Sequence, residues 1–146
     1  MQLYKKILVA IDCSPVDDAI IEHVSLLARQ NGAKVFLVHV VHSHTLDQDR
    51  VLRAEAEATL KVHCETLQKQ GVEAHIVIKS GEPDAKILEE IESNDYDLVA
   101  MATHGHAFLA DILLGSVSES LKHKISIPLL LLRSDRLARR RRVDRQ

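Results

Sequence analysis

Five short apolar runs, each separated from the next by a stretch with helical spacing, constrain this chain more than any other feature of it. The runs cover residues 5–11, 33–41, 72–78, 97–103 and 129–133. Four of them lack the polar-apolar alternation of a strand with one wet face, and strands buried on both sides have this character. The run at 72–78 alternates more, which suits a strand nearer an edge. Between the first two runs, Ile20, Val24, Leu27 and Ala28 share one helical face that ends at Asn31-Gly32, with Ser14 as the expected cap, Pro15 in the first turn, and Asp17 and Asp18 near the positive end of the dipole. Next, Leu52, Ala56, Leu60, Cys64 and Leu67 mark a long amphipathic helix closed by Gly71, entered from a polar stretch at 42–49 that carries no strong pattern. Ser80-Gly81-Glu82-Pro83 opens a short helix with Ile87, Leu88 and Ile91, and a last helix carries Val117, Leu121 and Ile125 before Pro128. Strand and helix alternate throughout. The expected fold class is α/β: a three-layer, Rossmann-like sandwich with a five-stranded parallel sheet and right-handed crossovers.

Length and charge narrow the functional classes. A chain of 146 residues with 46% apolar and 27% charged residues is one globular domain's worth, and it has no apolar run near the roughly 20 residues of a membrane helix. Its N-terminus shows no signal peptide, so the expectation is a cytoplasmic protein with Cys13 and Cys64 as free thiols. The net charge of −2 averages two unlike regions. From Arg133 onward seven arginines stand against two aspartates, a tail of +5, which leaves −7 for residues 1–132. An acidic body of that kind speaks against nucleic acid as the partner of the folded domain. The boundaries that follow are a domain at 1–133 and a basic, disordered tail at 134–146.

Ligands of open α/β sheets sit beyond the carboxyl ends of the strands, where the strand order reverses. There the chain places Asp12 after the first strand, a carboxylate able to accept from a ribose hydroxyl or an adenine amine. After the fourth strand come Ala102-Thr103-His104-Gly105, nine residues, and Gly115-Ser116-Val117-Ser118-Glu119. Gly105 permits a turn of positive φ and close backbone approach. Gly115 and Ser116 stand at a helix start, where free N–H groups and the dipole make an anion site. Simpler roles compete: Ser116 with Glu119 spells a capping box, and Asp12 serves equally as a turn residue before Ser14.

These letters resemble the universal stress protein family, whose nucleotide-binding members carry G-x-x-G, nine residues, then G-S or G-T after the fourth strand. The resemblance spans nearly all of residues 3–133, including the opening K-K-I-L-V-A-I-D, the L-V-H-V of the second strand and the G-E-P before the third helix, and departs at Ala102, where the first glycine is expected. It implies a sheet ordered 3-2-1-4-5 that holds ATP or a related adenine nucleotide, with magnesium arriving alongside. It also implies roles: Ala10 and Asp12 on the adenosine side, Val40 on the adenine, Met101, Ala102, His104 and Gly105 along the base and phosphate loop, and Gly115, Ser116, Val117 and Ser118 on the phosphates. If Ala102 needed positive φ, alanine would cost about 1 kcal/mol.

The resemblance also implies a homodimer through the strand at 129–133, whose leucines would otherwise line an open sheet edge. No Walker lysine and no paired carboxylates stand in the loops, so at most slow hydrolysis is expected, with bound nucleotide acting as a signal to an unidentified protein partner. The alternative is a family member that has lost nucleotide binding and works as an interaction dimer. A histidine-held metal (His39, His42, His44, His104 and His106) and a redox role for Cys13 are the weaker readings.

Overall fold

The computed structural model describes residues 2–103 and 117–133. In chain order these form β1 (Lys6–Ala10), α1 (Asp17–Asn31), β2 (Lys34–Val41), α2 (Leu46–Lys69), β3 (Ala74–Ser80), α3 (Pro83–Glu92), β4 (Leu98–Thr103), a helical stretch at 117–121 and β5 (Leu129–Arg133). All strand pairs are parallel and their order is β3-β2-β1-β4-β5. This is the α/β sandwich expected from the alternating runs. The strand that alternates, β3, does lie at an edge.

Because successive strand residues point to opposite faces, β1 divides its side chains between two cores. Ile7, Val9 and Ile11 meet Ile20 and Val24 of α1 and Leu60 and Leu67 of α2. Leu8 and Ala10 meet Ile87 of α3, Met101 of β4, and Val117 and Leu121. The switch in strand order falls at β1, with β2 on one side and β4 on the other, and Ala10 is in register with Val38 and Met101. The head of β1 is therefore flanked by the heads of both neighbours, as a ligand crevice of this fold requires.

The helix ends show where local signals were overruled. Ser14 does not cap α1: its N–H and hydroxyl both donate to Asp12 Oδ1, and the helix begins three residues later at Asp17. Gly32 closes α1 at φ 64, with its N–H on the Ala28 carbonyl. The unpatterned stretch at 42–49 contains the start of α2, capped by Thr45, whose hydroxyl accepts from Gln48 N at 3.0 Å. The last helical stretch stops at residue 121, so Ile125 lies past it, in the turn towards β5. In β5 the apolar run is not uniformly buried: Leu131 is 45% exposed while Leu129, Leu130 and Leu132 are half-buried. Among the described residues, no helix is long and apolar enough to cross a membrane.

Candidate functional site

Beyond the heads of β1 and β2, roofed by α2, lies a cleft of about 350 Å³. Asp12 and Cys13 supply one wall, His39 to His42 the floor, and Leu52, Glu55, Ala56 and Thr59 the other wall. The position of α2 is set by burial of Leu60 and Leu67 below the cleft and by a polar clamp at its start. In that clamp, Asp49 Oδ1 accepts from the Ser80 hydroxyl at 2.7 Å, while Arg53 donates to the Ser80 hydroxyl at 2.7 Å and to the Ile78 carbonyl at 3.3 Å. These bonds tie the first turns of α2 to the end of β3.

The cleft is rich in acceptors. Asp12 Oδ1 is taken by Ser14, but Asp12 Oδ2 is buried and has no hydrogen-bond partner among the described residues. His39 Nδ1 donates to the Ile11 carbonyl at 2.7 Å, which leaves Nε2 as a lone-pair acceptor in the neutral ring. Glu55 adds a carboxylate. Donor groups of a ligand, such as an amine or hydroxyls, suit this end; a phosphate does not.

Cys13 stands at φ 64, the only positive-φ residue other than glycine among those described. Its thiol is pushed up to about 12, first by desolvation and then by the carboxylates of Asp17 and Asp12, although the residue as a whole is exposed. A thiol held protonated in this way is a poor nucleophile at neutral pH, which counts against the redox reading. Among the described residues no three histidines, cysteines or acids converge as metal ligands; His104 and His106 lie outside that set.

Of the residues expected at the site, Asp12 and Val40 line the cleft. Ala10, Val40, Met101 and Val117 meet in one buried cluster behind it, and Ser118 is buried beside Val117 at the start of the 117–121 stretch. His104, Gly105, Gly115 and Ser116 lie outside the described residues. Ala102 sits within β4, opposite Leu132, without positive φ, and it packs in the core under α1 and α2. The alanine therefore brings no left-handed strain. The sequence marks Leu52 and Ala56 only as parts of a helix and does not single out Glu55 or Thr59, since the crossing that brings them over β1 is a property of the whole fold. Asp17, read as a first-turn acid, is 1% exposed and lies against Asp12.

Comparison with known proteins agrees with this architecture. The profile of the universal stress protein family matches residues 3–133. Universal stress protein MJ0531 of Methanocaldococcus jannaschii is 30% identical over 142 residues, covering 90% of this chain and 83% of that protein. The solved structure of MJ0577 superposes with a TM-score of 0.76 at 27% identity, over 90% of this chain and 96% of the other. A universal stress protein from Archaeoglobus fulgidus, solved in complex with dAMP, superposes at 0.70 with 23% identity, over 90% and 99% of the two chains, a likeness of fold.

Proposed function

The chain belongs to the universal stress protein family, and on that premise we propose that it is a cytoplasmic module that binds ATP or a related adenine nucleotide, with magnesium as its companion ion, and acts through nucleotide-dependent protein interactions. The observation that carries this reading is the cleft at the strand-order switch, lined by the Asp12 carboxyl and the His39 ring, acceptor groups suited to the donors of a nucleoside. The dAMP complex of the Archaeoglobus protein supports the same ligand class. In this reading Asp12, Val40 and Ala10 take the nucleoside end. The phosphates run towards Gly115, Ser116, Val117 and Ser118, with His104 and Gly105 in the loop between. Met101 and Ala102 back the site from β4, and Ala102 carries no left-handed strain there.

A thermal shift tests the reading. ATP and magnesium at about 100 times the dissociation constant stabilise the folded state by about 2.7 kcal/mol, a rise in Tm of roughly 5–10 °C for a chain of this size. No rise at millimolar ATP would leave the interaction dimer as the better account.

The same reading includes a homodimer through β5, supported by the edge position of that strand and by Leu131 facing outward. Sedimentation of the full chain is expected to give a dimer, and Leu131→Arg a monomer with unchanged helical content. A monomeric wild type would remove the dimer.

A further inference from the structure

Asp17 enters the molecule as the first residue of α1, where an acid is ordinarily a solvent-exposed partner of the helix dipole. Here it is 1% exposed. Its Oδ1 accepts from the backbone N–H of Asp12 at 3.3 Å, which brings the two carboxyl groups into one neighbourhood. One oxygen of each acid, Asp12 Oδ2 and Asp17 Oδ2, is buried without a partner among the described residues. Two orphaned acceptors on neighbouring carboxyl groups are satisfied together by one proton.

Among the described residues the surroundings offer no other remedy. From the same loop comes Cys13, whose thiol stays protonated, and from α1 the exposed Asp18. From β2 comes His39, already committed to the Ile11 carbonyl through Nδ1, and across the cleft stands Glu55. From α2, His63 approaches with Nε2 at 4.0 Å from Asp17 Oδ2, too far for a hydrogen bond, and burial favours its neutral ring. Among the described residues no lysine or arginine pairs with either acid, so the burden falls on the proton.

We propose that Asp17 is a positioning residue of the cleft: Asp12 and Asp17 hold one proton between them, and that proton keeps the turn at residues 12–17 closed with Asp12 presented to the nucleoside. This rests on the reading of the cleft as a nucleotide site. Loss of the proton sets two like charges close together in a buried place with no lysine or arginine beside them among the described residues, and the turn that carries Asp12 must open to relieve it. Desolvation first, and then the neighbouring Asp12, push the Asp17 carboxyl up to about 8, which places the opening just above neutral pH.

The test has two arms on the full chain. Carbon-13 NMR of the aspartate carboxyls without nucleotide is expected to show one resonance titrating near pH 8, absent from Asp17→Asn. The dissociation constant of ATP with magnesium is then followed from pH 7 to pH 9.5. Wild type is expected to weaken by up to about tenfold per pH unit above the transition. Asp17→Asn, whose amide donates to Asp12 and cannot ionise, is expected to stay flat with pH and within about twofold of wild type at pH 7. Asp17→Ala, which lacks the donor, is expected to bind more weakly than both at pH 7. Every aspartate titrating in the ordinary range near pH 4 overturns the proposal, as does an Asp17→Asn profile parallel to that of wild type. A carboxyl titrating near pH 8 in a chain that binds no ATP at any pH overturns the nucleotide reading and the positioning role with it, and leaves the shared proton standing.

Discussion

Leu60→Ala is expected to lower the free energy of unfolding by about 2–5 kcal/mol, read as a shift of the urea midpoint at unchanged slope. Leu60 is fully buried on α2 and packs in the core that Ile7 and Val9 of β1, with Ile11 just after it, share with α1. Removing three carbons there leaves a cavity bounded by two helices and the sheet, and none of these can move in without disturbing the others. A domain of this size has roughly 5–15 kcal/mol in total, so a large fraction is at stake. Val62, two residues on and 61% exposed, provides the control: Val62→Ala is expected to stay within about 0.5 kcal/mol. Equal losses at the two positions would mean that α2 does not sit on the sheet as described, and the cleft would lose the wall built by Leu52, Ala56 and Thr59.

The contrast between Leu60 and Val62 was legible beforehand, because the four-residue spacing of Leu52, Ala56, Leu60 and Cys64 marks one helical face and Val62 falls off it. The strands were legible for a similar reason: four runs without polar-apolar alternation fit a sheet covered on both faces. Helix starts were harder. Both Ser14 and Thr45 are chemically fit to cap, and the one chosen for α1 was instead captured by Asp12. Thr45 with Gln48 three residues on, whose side chain accepts from His44 N at 3.0 Å, spells a cap within a stretch that had looked patternless.

The site was legible only where chain order brings chemistry to a strand end, as with Asp12. The far wall of the cleft depends on α2 crossing above β1 and β2, and no local pattern records that crossing. Asp17 is the clearest case. Its position after Ser14 and Pro15 predicts an exposed first-turn acid, and only the packing of α2 through His63 encloses it.

That enclosure has a thermodynamic consequence independent of any ligand. Asp17 is raised from 3.8 to about 8 in the folded chain, so between those values the folded state holds a proton that the unfolded state has released. Stability then falls as pH rises, by up to about 1.4 kcal/mol per pH unit, and levels off above pH 8. His63 works in the opposite direction: its folded value is lowered from 6.5, first by burial, so its contribution grows with rising pH and is complete near 6.5. Cys13, raised from 9.0 to about 12, begins to cost stability only above pH 9. Among these three groups, the interval from pH 6.5 to 8 isolates Asp17. Wild type is expected to lose about 2 kcal/mol across it in urea denaturation, and Asp17→Asn less than about 0.5 kcal/mol, so the variant becomes the more stable protein at pH 8.5. Parallel curves for the two proteins would show that the proton is not held by Asp17, and a wild-type curve rising through this interval would reverse the sign of the argument altogether.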